Sequence, residues 1–556
     1  MKKLIALLLV AAMALSLFAA CGPTPPATTK APATTAGKTP ETTKAPETTA
    51  APEFAYPMDT DVELTMFRNQ NALITAHGYA GFGDSPVAKT IEAKSGIKVV
   101  YVDTYADYDA EWANMQSTGN YTDMVSFNIF NYEGGPLMAV EDGLAIELND
   151  VIDEFMPNFK AYLEANPDVD KAIKTDDGIY TFIPYVNSNT GAYSYGAYYR
   201  EDMLKEMGET EPTTLQGWHD LLVKVKDKYG ITPISCDWNG LIQYGMMAMA
   251  FGVGGNSTSN HFAVADGKVY YQRTSDEWKA FLTEMAKWMA EGLIDANVAQ
   301  IKSADVNAKI INSEVFLSMG WLGSAMQVNQ QKGAAQTEGF MLKALPTPGL
   351  TEGQKIEWGY ATTLVSGVGT TISESCENVE EAARYLDYLF SPEGHIVANF
   401  GIEGESYDMV NGEPVFQDHV VKSGKLPEGL SQSQSAARYS AATTGLMAMV
   451  KHEGYYPQLM DEANCAEAIY IWRDAAIGGG HMHELPGLSY DDEESGAIGT
   501  IITNLKTASD EYAMDIILGR KTVEESWDEY VKTIEGMGLA AGLIIMNDAY
   551  GRYLER

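Results

Sequence analysis

The sequence predicts an α/β fold in which a mostly parallel sheet is covered by helices. Short buried strands are expected at 63–67 (ELTMF), 97–102 (IKVVYV) and 123–127 (DMVSF). Helical apolar spacing fills the two intervals between them, at 85–94 and 108–117. Strands that alternate with helices at these lengths favour right-handed crossovers and therefore a parallel sheet.

The composition is that of a large globular protein with an acidic surface. The chain has 556 residues, of which 45% are hydrophobic and 21% charged, so it is long enough for two or more lobes with cores. Its formal net charge of −38 argues against nucleic acid as a partner, because phosphate backbones are bound by clustered Lys and Arg. The same charge argues against electrostatic adhesion to anionic lipid.

The cysteines do not form the pattern of a disulfide scaffold or a structural zinc site. The chain has four, which are Cys21, Cys236, Cys376 and Cys465. They are widely spaced and none belongs to a CxxC motif. We expect at most one bridge among the last three.

The first 20 residues predict an export signal. Lys2 and Lys3 precede an apolar run from 4 to 20, and the run ends in LFAAC at Cys21, which looks like a bacterial lipobox with Phe18 where leucine is preferred. A lipobox implies cleavage before Cys21 and lipid attachment to that cysteine. The alternatives are an ordinary signal peptide cleaved near Cys21 and an uncleaved anchor, for which the run is marginal in length.

Residues 21–54 predict a lipidated cysteine followed by a disordered tether. From Gly22 to Glu53 the chain is rich in Pro, Thr and Ala, with TTKAP occurring twice. Such a segment lacks the large apolar residues that would offset the entropy of ordering it. About 32 residues, extended by proline at ~3.1 Å each, reach ~100 Å. Its Thr/Pro composition also suits O-glycosylation.

Several short motifs along the remaining chain resemble one known family. They are Leu144–Asp153 with Pro157 and Asn158, Asp177–Tyr180, Tyr199–Leu204, Ser391–Gly394, Gly401–Gly404, Trp527–Tyr530 and Ala549–Tyr553. Each is weak alone, but their order and number make the chain similar to the extracellular solute-binding proteins of ABC importers. The resemblance extends from about Asp61 to Arg552 and is strongest to the lipoprotein branch associated with sugars and oligosaccharides.

This resemblance implies a periplasmic-binding-protein-like type II fold, in which two α/β lobes joined by hinge strands close around a ligand cleft. The hinge crossings are expected near 193–199 and 361–369. The implied segments are 55–192 for the first part of lobe 1, 193–361 for the first part of lobe 2, 362–410 for a return to lobe 1, and 411–556 mainly for lobe 2 and C-terminal helices.

The sequence departs from the family where some relatives bind calcium. Those relatives carry an Asp/Asn/Gly-rich loop in the region that here reads Lys226–Pro233, which lacks alternating oxygen ligands. His481, His483 and Glu484 offer too few ligands for a metal centre without further residues. We therefore expect neither a metal nor a cofactor.

Catalytic motifs are also missing from the sequence. There is no GxxxxGK[ST] phosphate loop and no GxSxG nucleophile elbow. Gly83-Asp84-Ser85 matches a lipase nucleophile block only superficially. The sequence thus favours a binding protein over an enzyme.

Aromatic and polar side chains at predicted strand ends indicate a carbohydrate site. Sugars present apolar C–H faces and a rim of hydroxyls, so they need flat aromatic surfaces and fixed hydrogen-bonding groups. The candidate ligand-binding residues are Arg68, Asn69, Phe127, Asn128, Tyr185, Asp237, Trp238, Trp321, Trp358 and Tyr360.

The sequence therefore predicts a monomeric, lipid-anchored receptor on the extracellular face of a bacterial membrane, of the Gram-positive type. It would capture a carbohydrate, expected to be an oligosaccharide, and deliver it to the transmembrane subunits of an ABC permease. Two alternatives stay open. One is a secreted carbohydrate-active enzyme, a glycoside hydrolase or lyase with paired carboxylates. The other is an accessory that presents ligand to a membrane sensor kinase.

Overall fold

Two β-sheets and two hairpins organise the chain. The computed structural model describes residues 54–556 except 70–71, 105–107, 245–246, 255–260, 361 and 444–446. The strands are β1 (Glu63–Asn69), β2 (Lys98–Thr104), β3 (Met124–Asn128), β4 (Ile183–Val186), β5 (Tyr195–Arg200), β6 (Phe262–Ala265), β7 (Lys268–Tyr271), β8 (Leu317–Trp321), β9 (Leu342–Ala344), β10 (Val365–Ile372), β11 (Tyr407–Val410), β12 (Glu413–Phe416) and β13 (Met449–Val450).

The first sheet has six strands in the order β13-β4-β10-β3-β1-β2. β1 pairs in parallel with β2 and β3, and β13 pairs in parallel with β4, whereas β10 is antiparallel to both of its neighbours. The three strands predicted from the sequence are β1, β2 and β3, and their parallel pairing is confirmed.

Helices cover the sheets and dominate the C-terminal part. Those up to residue 311 are α1 (Ala72–Thr75), α2 (Pro86–Ser95), α3 (Tyr108–Thr118), α4 (Gly135–Glu141), α5 (Asn149–Phe155), α6 (Pro157–Ala165), α7 (Pro167–Ile173), α8 (Asn189–Ala192), α9 (Glu201–Met207), α10 (Leu215–Tyr229), α11 (Asp276–Ala290) and α12 (Ser303–Ile311). The later ones are α13 (Gln327–Gln336), α14 (Val379–Tyr388), α15 (Pro392–Phe400), α16 (Asp418–Val421), α17 (Gln432–Ala437), α18 (Tyr455–Gln458), α19 (Ala463–Asp474), α20 (Asp492–Ile517), α21 (Val523–Gly536) and α22 (Leu539–Glu555).

The second sheet has the order β8-β5-β9, with β5 antiparallel to both neighbours. Its central strand, β5, is buried on both faces. Successive side chains of a strand point to opposite sides, so the two faces of β5 contact different cores. Tyr195, Ala197 and Tyr199 belong to the core formed with helices α10, α11 and α20–α22, whereas Tyr198 faces the core shared with the first sheet.

Two connections between the sheets lie side by side, and we call them the crossing: residues 187–194, between β4 and β5, and residues 362–364, just before β10. The backbone N–H of Asn187 donates to the Leu364 carbonyl at 2.9 Å, and that of Thr362 donates to the Ala192 carbonyl at 3.0 Å. The Asn187 side-chain amide also donates to the Thr362 hydroxyl at 2.6 Å. The two connections are therefore held to each other before either chain enters its sheet.

The later segments divide between the two sheets. β13 joins the first sheet, α19 packs against β9 of the second sheet, and α20–α22 contribute to the second core. The segment 411–450 contributes Phe416, Val420 and Tyr439 to the core of the first sheet. The sequence had assigned 411–556 mainly to lobe 2. The exact lobe boundaries stay a prediction.

The predicted signal peptide and the tether up to residue 53, including Cys21, lie outside the described residues. Among the helices of the part that is described, none is long and apolar enough to cross a membrane.

We predict that Gly196→Ala destabilises the protein. A methyl group at Gly196 would lie 2.1 Å from Cε2 of Trp472, whose indole N–H donates to the neighbouring Ala197 carbonyl at 3.1 Å, so the ring cannot move without losing that bond. Overpacking of this kind costs about 1–3 kcal/mol in the free energy of unfolding. Gly551→Ala, in α22 with no heavy atom within 4 Å, is the matched control and should be neutral or slightly stabilising. Equal denaturant midpoints for the two variants would contradict this packing.

Candidate functional site

Four aromatic rings meet where β5 and β8 reach the crossing. The ring centroid of Tyr195 lies 4.4 Å from that of Tyr244, 5.2 Å from that of Trp321 and 5.4 Å from that of Tyr360. Tyr244 and Tyr360 are 4.9 Å apart, and Trp321 lies 6.0 and 6.3 Å from them. We call these four residues the aromatic cluster. The rings come from β5, from the turn after residues 239–243, from β8 and from the connection that precedes the crossing.

Trp321 is the exposed member of the aromatic cluster. Its relative exposure is 40%, whereas those of Tyr195 and Tyr360 are 3% and 4%. The three tyrosines meet it at interplanar angles of 72° to 82°, the edge-to-face arrangement that aromatic pairs favour. The register of the sheet pairs Trp321 directly with Tyr195. An indole ring is thus held in a fixed orientation with part of its surface in water.

Asp237 lies beside the aromatic cluster. Burial, with the Asp237 carboxylate nearby as the next cause, raises the pKa of the Tyr195 hydroxyl well above its usual range. Asp237 accepts hydrogen bonds from the backbone N–H of Gly240 at 2.8 Å and from the Ser303 hydroxyl at 2.9 Å. Gly240 permits this close packing, since a methyl group there would lie 2.6 Å from the Tyr195 hydroxyl. The carboxylate is therefore fixed, and its side chain is partly exposed.

Trp358 has its ring contact with His483 rather than with the aromatic cluster, and Trp238 forms no ring contact with the cluster in the described part of the chain. Trp238 is partly buried against the second core. Trp358 is only 4% exposed and packs against His483, with ring centroids 5.2 Å apart, and over Gly254. Although Trp358 is two residues from Tyr360 in the sequence, the two side chains thus pack against different residues.

The candidates on the first sheet are mostly engaged within the protein. Arg68 is fully buried, with its guanidinium 3.0 Å from Asp103 and 4.4 Å from the centroid of the Phe82 ring. Burial raises the pKa of Asp103 even though that arginine opposes the shift. Phe127 is 9% exposed and packs on Trp112 at 5.0 Å.

Asn69 and Asn128 end β1 and β3 and are partly exposed. The Asn128 side chain accepts from the backbone N–H of Phe130 at 3.1 Å and donates to the Ser366 carbonyl at 3.0 Å, so it caps the turn that follows β3. A ligand role for these strand-end residues stays a prediction.

A second group of residues was not predicted from the sequence. The ammonium of Lys451 lies over three tyrosine rings, 5.9 Å from the centroid of Tyr185, 5.8 Å from that of Tyr455 and 5.6 Å from that of Tyr456. We call these four residues the lysine pocket. Of them, Tyr185 alone was a sequence candidate. The spacing of Lys451 and the Tyr455-Tyr456 pair in KHEGYY is the signal that could have pointed to the others.

Backbone pairing and a glycine place Lys451 at the crossing. Its backbone N–H donates to the Val186 carbonyl at 2.9 Å, which continues the pairing of β13 with β4. A methyl group at Gly191 would lie 3.1 Å from Cδ of Lys451, so the side chain runs close to the backbone of α8.

Tyr456 connects the lysine pocket with the aromatic cluster. Its hydroxyl lies near the backbone N–H of Gly323 and the Ser194 side chain, and a methyl group at Gly323 would lie 3.8 Å from that hydroxyl. Gly323 is two residues beyond Trp321, and Ser194 immediately precedes Tyr195. The two groups therefore lie next to each other, one supplied mainly by the first sheet and the other by the second.

The histidine motif at 481–484 and the lipase-like block at 83–85 make ordinary contacts within the protein. Nδ1 of His481 is 2.6 Å from a carboxylate oxygen of Glu484, and its Nε2 is 3.1 Å from the Tyr193 hydroxyl. Nε2 of His483 is 2.9 Å from a carboxylate oxygen of Glu357. The described residues contain no group of three or more His, Cys, Asp or Glu side chains that could hold a metal ion.

Ser85 is fully buried, and its hydroxyl donates to the Phe82 carbonyl at 2.6 Å while accepting from the Ala88 N–H as the N-cap of α2. Cys236, Cys376 and Cys465 are free and buried. Ser85 of the lipase-like block is therefore a helix cap, and these three cysteines form no disulfide bridge.

Comparison with known proteins finds similarity to bacterial solute-binding proteins and to a lipoprotein. Residues 87–398 match the family described as bacterial extracellular solute-binding protein. The chain is 22% identical over 515 residues, 84% of it and 87% of the relative, to the fructooligosaccharide ABC transporter substrate-binding protein FusA of Streptococcus pneumoniae. It is 24% identical over 356 residues, 59% of it and 65% of the relative, to the lipoprotein LipO of Bacillus subtilis.

Among solved structures, an extracellular solute-binding protein from Bifidobacterium longum subsp. infantis superposes with a TM-score of 0.70 at 19% identity, covering 88% of this chain and 98% of that chain. This likeness confirms the predicted two-lobe α/β fold.

Proposed function

Because the chain belongs to the bacterial extracellular solute-binding protein family, we propose that it captures an extracellular carbohydrate for an ABC importer. FusA, with which 84% of the chain aligns, is named for fructooligosaccharide transport. The proposed ligand class is an oligosaccharide, in keeping with the aromatic and polar character of the site.

The observation that carries this proposal is the half-exposed Trp321 within the aromatic cluster. A sugar ring offers an apolar C–H face, and a flat indole held by its neighbours can receive that face with little further loss of side-chain freedom. Asp237 supplies fixed carboxylate oxygens beside the rings, which suit the hydroxyl groups at the rim of a sugar. Stacking would thus supply affinity, and the polar groups would orient the ligand.

The mechanism we propose is a shift between open and closed arrangements of the two lobes. A ligand that contacts residues from both sheets interacts more strongly with the closed arrangement than with the open one, and so increases its population. The lysine pocket and the aromatic cluster provide such contacts on either side of the crossing. No covalent step is required, and the permease would receive the ligand when the lobes reopen.

The two alternative functions need features beyond this arrangement. A glycoside hydrolase requires two carboxyl groups about 5–10 Å apart on either side of the scissile bond. At the aromatic cluster, Asp237 already accepts hydrogen bonds from Gly240 and Ser303. An accessory of a sensor kinase would use the same ligand site and would differ only in its membrane partner.

We predict that Trp321→Ala weakens oligosaccharide binding at least tenfold, which corresponds to about 1.4 kcal/mol, because the stacking surface is removed. Isothermal titration calorimetry against fructo-, xylo-, manno- and galacto-oligosaccharides measures the change. Tyr470→Ala removes a ring of similar exposure, 42%, on α19 and should leave affinity within about twofold of wild type. Unchanged binding by a folded Trp321→Ala variant would contradict the site, and binding of no oligosaccharide, neutral or acidic, by the wild type would contradict the ligand class.

We further propose that the protein is a lipoprotein on the extracellular face of the membrane, acting as a monomer beside its permease. The lipobox-like segment ending at Cys21 supports this proposal, as does the similarity to the lipoprotein LipO. A Pro/Thr-rich tether of about 32 residues would leave the folded part free to open and close while it stays attached.

We predict that Cys21→Ser moves the protein from the membrane fraction to the culture medium, because the lipid acceptor is lost. Fractionation followed by immunoblotting measures the distribution, and mass spectrometry of the mature N-terminus identifies the acyl groups. Cys376→Ser, at a buried thiol, is the control and should leave the distribution unchanged. A wild-type protein that is released without lipid would contradict the anchor.

A further inference from the structure

The lysine pocket contains a cation for which the protein supplies no carboxylate. Within the described residues, no Asp or Glu forms an ion pair with Lys451. Glu453, two residues along the chain, and Glu413, which faces the neighbouring His452, are engaged elsewhere. Glu453 accepts from the backbone N–H of Asn189 at 2.9 Å, and Glu413 faces His452 at 3.8 Å.

Two of the three other described lysines that lie over a tyrosine ring have a carboxylate partner. The third, Lys171, is 4.8 Å from the centroid of Tyr553 and donates instead to the Leu554 carbonyl at 3.2 Å in a hydrogen bond exposed to solvent. Lys174 is 5.1 Å from the centroid of Tyr180 and forms an ion pair with Asp170 at 2.6 Å. Lys228 is 4.9 Å from the centroid of Tyr229 and forms one with Glu206 at 3.0 Å. In both cases the ring is an additional partner of an ammonium that is already neutralised.

The surroundings of Lys451 make an unneutralised ammonium costly. Tyr185 and Tyr455 are 9% and 1% exposed, and Lys451 itself is only partly exposed. Burial lowers the pKa of Lys451, and the tyrosine hydroxyl of Tyr455 opposes that shift only in part. Cation–π contacts stabilise a charge only modestly, whereas burial of a charge without a counterion is strongly unfavourable. The three tyrosine rings alone therefore do not offset the cost of burying the Lys451 ammonium.

The position of this ammonium is next to the proposed ligand site. The ring of Tyr456 lies against Lys451, and its hydroxyl lies near Gly323 and Ser194. Gly323 is two residues beyond Trp321, and Ser194 immediately precedes Tyr195. A saccharide that stacks on Trp321 is thus close to a cation that needs an anion. The net charge of −38 repels anionic ligands from the protein as a whole, so selectivity for an anion requires a local cation of this kind.

Resting on the proposed function, we propose that Lys451 binds a carboxylate of the ligand and that the site prefers an acidic oligosaccharide, one that contains a uronate, over its neutral counterpart. The carboxylate would complete the ion pair that the fold leaves open, while the tyrosine rings exclude water around it. Neutral sugar hydroxyls can accept a hydrogen bond from the ammonium but do not neutralise it.

The test compares acids with their own methyl esters, which remove the charge and keep the sugar. We would titrate α-1,4-digalacturonate, β-1,4-dimannuronate and cellobiouronate, and the methyl ester of each, into wild-type protein in about 0.15 M salt. The variants are Lys451→Met and Lys451→Gln, with Lys174→Met as the matched control because that lysine also lies over a tyrosine ring. Thermal unfolding of each variant establishes that it is folded.

We expect at least one acid to bind wild type tenfold or more tightly than its ester, and both Lys451 variants to lose that difference while Lys174→Met keeps it. Esters that bind as tightly as acids, or a preference that persists in the folded Lys451 variants, would overturn the inference. Binding of neutral oligosaccharides without binding of any acid would overturn it and leave the proposed function intact. Binding of no saccharide at all would overturn both.

Discussion

The hydrogen bonds of the crossing tie the two sheets together at the point where the site is built. Asn187 and Thr362 join the outgoing and returning connections through one side-chain and two backbone hydrogen bonds. Residues of the proposed binding site lie a few positions from these bonds: Tyr185 before Asn187, Tyr195 after Ala192 and Tyr360 before Thr362. A change in the angle between the sheets therefore requires backbone changes in residues that adjoin the proposed ligand site. This is how ligand binding and lobe movement can be coupled.

Burial on both sides of the crossing fixes the orientation of the exposed groups. Trp321 is held by three tyrosines, of which Tyr195 and Tyr360 are almost inaccessible to water. Lys451 is held by three others and by the close backbone of Gly191. Such preorganisation lowers the entropy that binding would otherwise lose, so a few contacts can give useful affinity. The site thus combines one stacking surface, one fixed carboxylate and one cation.

Much of the fold could be predicted from local sequence patterns, because those patterns follow from short-range physics. Apolar runs of five or six residues predicted β1, β2 and β3, and Ser85 followed by Pro86 marks the start of α2 as a capping residue and proline should. The two-lobe arrangement depended on the family resemblance, since the number of sheets is set by contacts between distant segments. The assignment of 411–450 was harder for the same reason, because β13 has only two residues and pairs with β4, more than 250 positions earlier.

The candidate site was predictable where backbone position determines exposure, and not where side-chain direction does. Trp321 and Asp237 lie at the ends of buried segments, as expected, and both lie at the aromatic cluster. Trp358 and Arg68 have similar sequence surroundings but turn into the core, where Gly254 and Asp103 receive them. Tyr244 carries no local signal for binding, and the KHEGYY spacing around Lys451 does not say where that segment lies, so only the tertiary structure brings both residues to the crossing.

The central claim is that a carbohydrate binds at the crossing between the two sheets, and a crystal structure of the saturated complex tests it most directly. The account predicts a sugar ring stacked on the exposed face of Trp321, with further ligand atoms in contact with residues of both sheets. A ligand bound elsewhere, with Trp321 still open to solvent, would contradict it.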